Sequence, residues 1–359
     1  MLIFICKRLQ NDGYKTIMDN GSRKKTRNVT IIDVARESGV SYSTVSRVFS
    51  EFDFVKESTR QRVLDAAEKL GYVANLSARS LAGGRSRIIG LLVPGLDNGY
   101  IGEIMRGIDQ ELARSHYDLM LYTTHRAQGK ESNYVNTITN GLSDGLLLVV
   151  PLVTGSYLNA LQEINFPYVL IDQSDPTLKS SVVDTTNWQG SYDATRYLLE
   201  LGHRRIGFIS GLRALHSAID RLEGYKAALI DGGVPVLEEL IVEGDFWQTG
   251  GYEAAQKLLR LPRRPTAIFA SNDLSAFGAM EAIREHGLKM PDDMSIVGFD
   301  DIPQALTAHP KLTTVQQPLE QMGRVAARML LEQIENPDRS VRKVTLATHL
   351  IIRDSCRAV

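Results

Sequence analysis

The sequence predicts an α/β protein: a small all-α head at the N-terminal end, then a two-lobed core of parallel sheets. Three observations lead there. From residue 88 onward, short apolar runs alternate with segments of helical period. Before residue 88, two short helical patterns flank a glycine. Charge is also unevenly divided: residues 22–87 carry 13 Lys/Arg against 7 Asp/Glu, in a chain whose net charge is −1. A basic head on an acidic body suits one end that meets a polyanion.

In the head, Thr30 caps a first helix and Asp33, three residues on, completes a capping-box-like pair. Ile31, Val34 and Ala35 share its inner face, and Gly39 ends it, since glycine tolerates a left-handed turn. Ser41 caps a second helix, Tyr42–Phe49. Val45, Val48 and Phe49 point inward there; Tyr42, Ser43, Ser46 and Arg47 point outward. Helix, glycine turn and a second helix with a polar, basic outer face spell a helix-turn-helix, the frame of a DNA-binding head. A third helix from about Glu57 to Leu70 closes the small core through Val63, Ala66, Ala67 and Leu70. Asn75 then caps a short helix, Leu76–Ala82, before the polar linker Gly83–Arg87.

In the core, strands are expected at 88–94, 117–122, 145–150, 168–171, 206–209, 267–270 and 295–298, with a further strand pattern at 346–352. Helices are expected at 101–115, 131–139, 156–164, 190–201 and 276–285. Ligands of open parallel sheets sit beyond the carboxyl ends of the strands, here the cleft between lobes. Asp97, Asn98, Asp172, Arg221, Asn272, Asp273 and Asp300 fall at such ends. Carboxylates accept from hydroxyls and a guanidinium donates back, so the set suits a sugar-like ligand, with Phe246 or Trp247 stacking on its apolar face. For Asn272 and Asp273 the competing role is a cap on the next helix.

Other classes are poorly served. No Gly-x-Gly-x-x-Gly, phosphate loop or His-Glu-x-x-His occurs, and the seven histidines are scattered, so no enzyme and no metal or cofactor is expected. Two cysteines, Cys6 and Cys356, at opposite ends fit a reducing cytoplasm. No apolar run reaches the length of a membrane span, and the apolar Met1–Cys6 is too short for a signal peptide. Residues 1–28 read as a flexible extension, with Met18 an alternative start.

The run Val29–Val48 resembles the head of the LacI/GalR family of bacterial repressors, and Asn75–Gly83 resembles that family's hinge helix. The resemblance extends to Cys356, and departs at Ser50, often Asn, and Lys56, often Ser or Thr. It implies a periplasmic-binding-protein-like core at 88–359: lobe 1 from about 88–185 and 318–340, lobe 2 from about 186–317 and 341–359, crossing at Leu312–Pro318. It implies a head at 29–73 and a hinge helix and linker at 74–87. It places Tyr42, Ser43 and Arg47 in the major groove, Thr30, Ser41, Thr44 and Ser46 at or near the DNA backbone, and Asn75 at the start of the hinge helix. Leu81 would wedge into the minor groove, and Ala78 and Ala82 would let paired hinge helices approach. Arg221, Phe246, Asn272 and Asp300 fall on its effector positions. The expected molecule is a homodimeric transcription regulator of repressor type, binding double-stranded operator DNA under control of a carbohydrate effector. The alternative is a sugar receptor or sugar-processing protein with an unrelated helical head.

Overall fold

The computed structural model describes residues 29–49, 55–72, 85–96, 99–125, 130–139, 141–151, 155–175 and 179–359. The chain divides into two compact units, Met1–Asn75 and Leu76–Val359. Among the sequence expectations, the extension at 1–28, Ser50, the hinge-helix residues Asn75, Ala78, Leu81 and Ala82, and the cleft candidates Asp97 and Asn98 lie outside the described residues.

The first unit holds α1 (Ile31–Ser38), α2 (Tyr42–Phe49) and α3 (Glu57–Leu70). Each end is set locally. The Asp33 carboxylate accepts from the Thr30 N–H at 2.9 Å and from its hydroxyl at 2.7 Å. Gly39 turns the chain at φ 68°. The Ser41 hydroxyl accepts from the Thr44 N–H at 3.1 Å, which caps α2. Lys56 precedes α3 without a side-chain cap, as its residue type dictates. Val34, Ala35, Val45, Val48, Val63, Ala66 and Ala67 bury together as the core of the three helices.

The second unit contains two six-stranded sheets. Its strands are β1 (Ile88–Val93), β2 (Asp118–Thr123), β3 (Gly145–Val149), β4 (Tyr168–Ile171), β5 (Ser181–Thr185), β6 (Ile206–Ser210), β7 (Ile241–Glu243), β8 (Ala267–Ala270), β9 (Ser295–Asp300), β10 (Thr313–Gln316), β11 (Lys343–Leu346) and β12 (His349–Ile351). Its helices are α4 (Gly99–Arg114), α5 (Lys130–Thr139), α6 (Gly155–Glu163), α7 (Asn187–Glu200), α8 (His216–Asp231), α9 (Gln248–Leu259), α10 (Asp273–Glu285) and α11 (Leu319–Glu335). Sheet one runs β11-β5-β4-β3-β1-β2, every neighbouring pair parallel. Sheet two runs β12-β10-β9-β8-β6-β7, parallel except for β12 against β10. The central strands are apolar and buried along their whole length, as sheets covered by helices on both faces require.

Helices α4 and α11 cover one face of sheet one and meet backbone to backbone. A methyl group on Gly107 would overlap Glu320 O, and one on Gly323 would overlap Ile104 O. Two glycines on facing helices thus bring the main chains together.

The chain crosses between sheets three times: after β5, after β10 and between β11 and β12. This corrects the expected division: β11, within the stretch assigned to lobe 2, pairs with β5 in sheet one. Side chains stitch the crossings together. Thr185 Oγ1 donates to Gln317 Oε1 at 2.7 Å, and the Thr348 N–H donates to Thr186 Oγ1 at 2.9 Å. Six further elements escape the periodicity reading: β5, α8, β7, α9, β10 and α11. β5 is short and ends in polar residues, and β7 is a half-exposed edge of only three residues, so neither carries a clear period-two signal.

Candidate ligand cleft and helical face

The carboxyl ends of both sheets face one another across a narrow cleft with an interior volume of about 50 Å³. From sheet one come Pro94, Val150 and Asp172, with Tyr100 and Ile101 from α4; from the other lobe come Phe246, Trp247, Asn272, Leu274, Asp300 and Ile302, with Ser217 and Arg221 from α8. Val150, Asp172, Phe246 and Asp300 hold φ values of 46°, 54°, 69° and 123°. Non-glycine residues rarely adopt these, and all four line the cleft. The strand ends are bent so that their side chains turn into it.

Arg221 is the centre of the arrangement and only 2% exposed. Its Nε donates to Asn187 Oδ1 at 2.8 Å and its Nη1 to Ser271 O at 2.6 Å. The guanidinium lies 3.8 Å from the centroid of the Phe299 ring, with Phe246 farther off at 5.7 Å. Asp300 Oδ1 sits 3.7 Å from Arg221 Nη1 and accepts from Gln317 Nε2 at 2.8 Å. Asp172 Oδ2 accepts from the Tyr100 hydroxyl at 2.8 Å. Among the described residues, Arg221 Nη2 and Asp172 Oδ1 have no hydrogen-bond partner. A buried donor and a buried acceptor left open in one cleft are what a polar ligand would satisfy.

Burial dominates the ionisation of this group. It pushes the Asp172 carboxyl up to about 6, against the pull of Arg221 and with a smaller push from Asp184. It pushes Asp300 up to about 7, opposed by Arg221 and by the Gln317 hydrogen bond, with Asp172 adding to the rise. Desolvation in the cleft, then the charges of Asp172 and Asp300, hold the Tyr100 hydroxyl well above its ordinary range.

Asp172, Arg221, Phe246, Asn272 and Asp300 therefore come together as the sequence suggests. The cap reading of Asn272 also holds: its Oδ1 accepts from the Ser275 N–H at 2.9 Å, and its Nδ2 donates to Phe246 O at 2.9 Å. Asp273 is a buried structural group, holding the Ile302 N–H at 2.9 Å and the Thr314 hydroxyl at 2.5 Å. Sequence reasoning missed Tyr100, Asn187, Ser217 and Gln317. Tyr100 stands at the start of the helix after β1, so its position beyond a strand end was a usable signal. The other three depend on long-range packing, of α7 on α8 and of β10 on β9.

On the head, Tyr42 is 54% exposed, and Ser43 and Arg47 are exposed beside it. Thr44 and Ser46 are half-buried. The Ser41 hydroxyl is engaged within α2, 2.8 Å from Ser43 Oγ and 2.9 Å from Thr44 Oγ1.

Against the expectation that no Gly-x-Ser-x-Gly occurs, the string Gly141-Leu142-Ser143-Asp144-Gly145 spells that catalytic signature. It precedes β3 instead of following a strand, and the Ser143 hydroxyl donates to Gly145 O at 3.2 Å, so it is no nucleophile elbow. Among the described residues there is no cluster of three or more His, Cys, Asp or Glu able to hold a metal, and no helix is long and apolar enough to cross a membrane.

Residues 30–75 match the lacI family of bacterial regulatory proteins, and residues 195–356 match the periplasmic binding protein-like domain. Over 334 residues the chain is 34% identical to the probable HTH-type transcriptional repressor ExuR of Bacillus subtilis, covering 92% of this chain and 98% of that one. It is 36% identical to catabolite control protein A of Priestia megaterium, over 88% of this chain and 96% of that one. Among solved structures, a complex of the transcriptional regulator CelR with cellobiose superposes with a TM-score of 0.71 at 32% identity, covering 91% and 99% of the two chains. The lac repressor dimer bound to operator and the anti-inducer ONPF superposes at 0.78 and 28% identity, covering 92% and 100%. These similarities span head and core together, which disfavours a sugar receptor with an unrelated head. The chain belongs to the lacI family of bacterial regulatory proteins and is a DNA-binding transcriptional regulator.

Proposed function

We propose that this regulator is a repressor-type homodimer whose grip on operator DNA is set by a small carbohydrate held between the lobes of its core. The observation that carries the effector reading is the pair of open buried atoms, Asp172 Oδ1 and Arg221 Nη2, at the bottom of a cleft walled by Phe246 and Trp247. A sugar hydroxyl both donates and accepts, so one ligand satisfies both, while an aromatic ring covers its apolar face. Asp300 and Asn272 complete the polar wall, with Asp97 and Asn98 assigned beside them from sequence.

On the DNA side, Tyr42, Ser43 and Arg47 read bases in the major groove, and Thr30, Ser41, Thr44 and Ser46 set the helix against the backbone. Leu81 wedges into the minor groove at the operator centre, with Asn75 starting the hinge helix and Ala78 letting paired hinge helices approach. Two heads related by symmetry read a pseudo-palindrome. The related lac repressor structure, a dimer on operator, supports this arrangement. The protein acts in the bacterial cytoplasm, where its DNA is. The ligand switches the protein by binding one lobe arrangement more tightly than the other.

The test is a thermal-shift screen of the full chain against neutral and phosphorylated sugars, repeated with a duplex recovered by selection from random DNA. A sugar that stabilises the core and changes duplex affinity is expected. Stabilisation without any change in duplex affinity rejects the switch.

A further inference from the structure

Charge and hydrogen-bond capacity in the cleft discriminate among sugars. The charged side chains lining it, among the described residues, are Asp172, Asp300 and Arg221: two carboxylates against one guanidinium. All three are nearly fully buried. Arg221 has already spent Nε on Asn187 and Nη1 on Ser271 O, with Asp300 alongside. Only Nη2 remains. A phosphate or carboxylate needs several donors at once.

Two helix N-termini beside the cleft, ordinary anion sites, are occupied too. The His216 N–H at the start of α8 donates to Gln173 Oε1 at 3.2 Å. At α10 the Asn272 side chain takes the Ser275 N–H, and Asp273 places a carboxyl in the first turn. Left without partners are Asp172 Oδ1, an acceptor, and Arg221 Nη2, which carries two N–H donors. An uncharged hydroxyl pair fits both.

We infer that the effector is an uncharged polyhydroxylated molecule, a neutral sugar or polyol, and that Asp172 excludes the phosphorylated and carboxylate forms of the same sugar. This rests on the reading of the cleft as the effector site. A hydroxyl donates to Asp172 Oδ1 and a second oxygen accepts from Arg221 Nη2. An anionic group placed there meets Asp172 and Asp300 at close range in a site shielded from water. Like charges brought together at such a surface weaken binding by about 100-fold or more.

Titration calorimetry of the full chain tests this with matched sets: glucose, glucose 6-phosphate and glucuronate; galactose, galactose 6-phosphate and galacturonate; ribose and ribose 5-phosphate. At least one neutral member is expected to bind, with its anionic counterparts about 100-fold weaker or undetectable. An anionic form binding as well as its neutral partner overturns the inference and leaves the cleft reading standing. No binding by any member overturns both. With the neutral sugar that binds, Asp172→Asn keeps an acceptor and the Tyr100 contact but drops the charge. The neutral-to-anionic ratio should fall at least tenfold, and an unchanged ratio assigns the exclusion to another group. Asp300→Asn provides the same comparison should Asp172→Asn fail to fold.

Discussion

Gln173 and His216 meet across the cleft: the His216 N–H, first of helix α8, donates to Gln173 Oε1 from the end of β4 at 3.2 Å. Gln173 is buried, and its Nε2 is fixed on Pro151 O at 3.0 Å. A side chain of one lobe thereby satisfies the N-terminus of a helix in the other. Such a bond exists only while the lobes are together. Gln173→Ala removes a cap worth about 0.5–2 kcal/mol, so a cleft ligand that needs the closed form should bind roughly 2- to 30-fold more weakly. Calorimetry on wild type and variant decides it; equal affinities would deny Gln173 any part in closure.

Removing the buried guanidinium leaves two carboxylates without their counter-charge. Arg221→Met should destabilise the core by about 3–5 kcal/mol near neutral pH. The loss should shrink toward pH 5, where Asp172 and Asp300 take up protons and the missing charge matters less. Thermal melts at pH 5 and pH 8 measure both. A penalty equal at the two values would show that Arg221 acts through packing on Phe299 instead.

The same carboxylates make ligand binding pH-dependent. Their folded-state values of about 6 and about 7 lie above the ordinary carboxylate value of 3.8. In the free protein this favours protonation on folding, so their contribution to stability falls as pH rises from about 4 through 7. Ligand affinity moves the other way, because a hydroxyl donates to the ionised carboxylate. The groups facing the pair are Tyr100, Asp184, Asn187, Arg221, Asp273 and Gln317. From pH 8 to pH 5, affinity for a neutral sugar should drop at least about tenfold through Asp172 alone. A flat profile would count against a hydroxyl on that carboxylate.

Phe246 keeps its place because Gly211 has no side chain: a methyl group there would overlap the ring. Gly211→Ala should displace the ring and weaken sugar binding by about 1 kcal/mol or more, with little effect on the head's DNA contacts. Fluorescence titration with a bound sugar, together with duplex affinity, separates the two. Unchanged sugar affinity would remove Phe246 from the binding wall.

On the DNA side, Arg47 stands exposed on the outer face of α2. Arg47→Ala should cost about 1–3 kcal/mol of discrimination at one base pair of the selected duplex. If instead every duplex weakens alike, Arg47 touches phosphate and not a base.

The head was legible almost residue by residue. Thr30, Gly39, Ser41 and the inward Val34, Val45 and Val63 fix three short helices through caps and spacing, which act within a few residues. The core's buried strands were legible too, because β1, β3, β4 and β8 are apolar end to end. Three polar residues of the site could be named from their place after a strand: Asp172, Asn272 and Asp300 follow runs that read as strands.

What only the tertiary structure decided has a different physical origin. β11 joins sheet one through pairing with β5, a partner far back in the chain that no local pattern announces. Gln317 becomes a site residue because β10 pairs with β9 and sets it beside Asp300, and Asn187 because α7 packs on α8 beside Arg221. The open valences of Asp172 and Arg221, and the raised carboxylates, follow from burial between two lobes, a property of the assembled surface and not of residue order. Sequence alone determined the head, the buried central strands and the family resemblance, because those depend on short-range caps, turns and periodicity. The chemistry of the cleft, which bonds are made and which are left for a ligand, was decided by long-range packing.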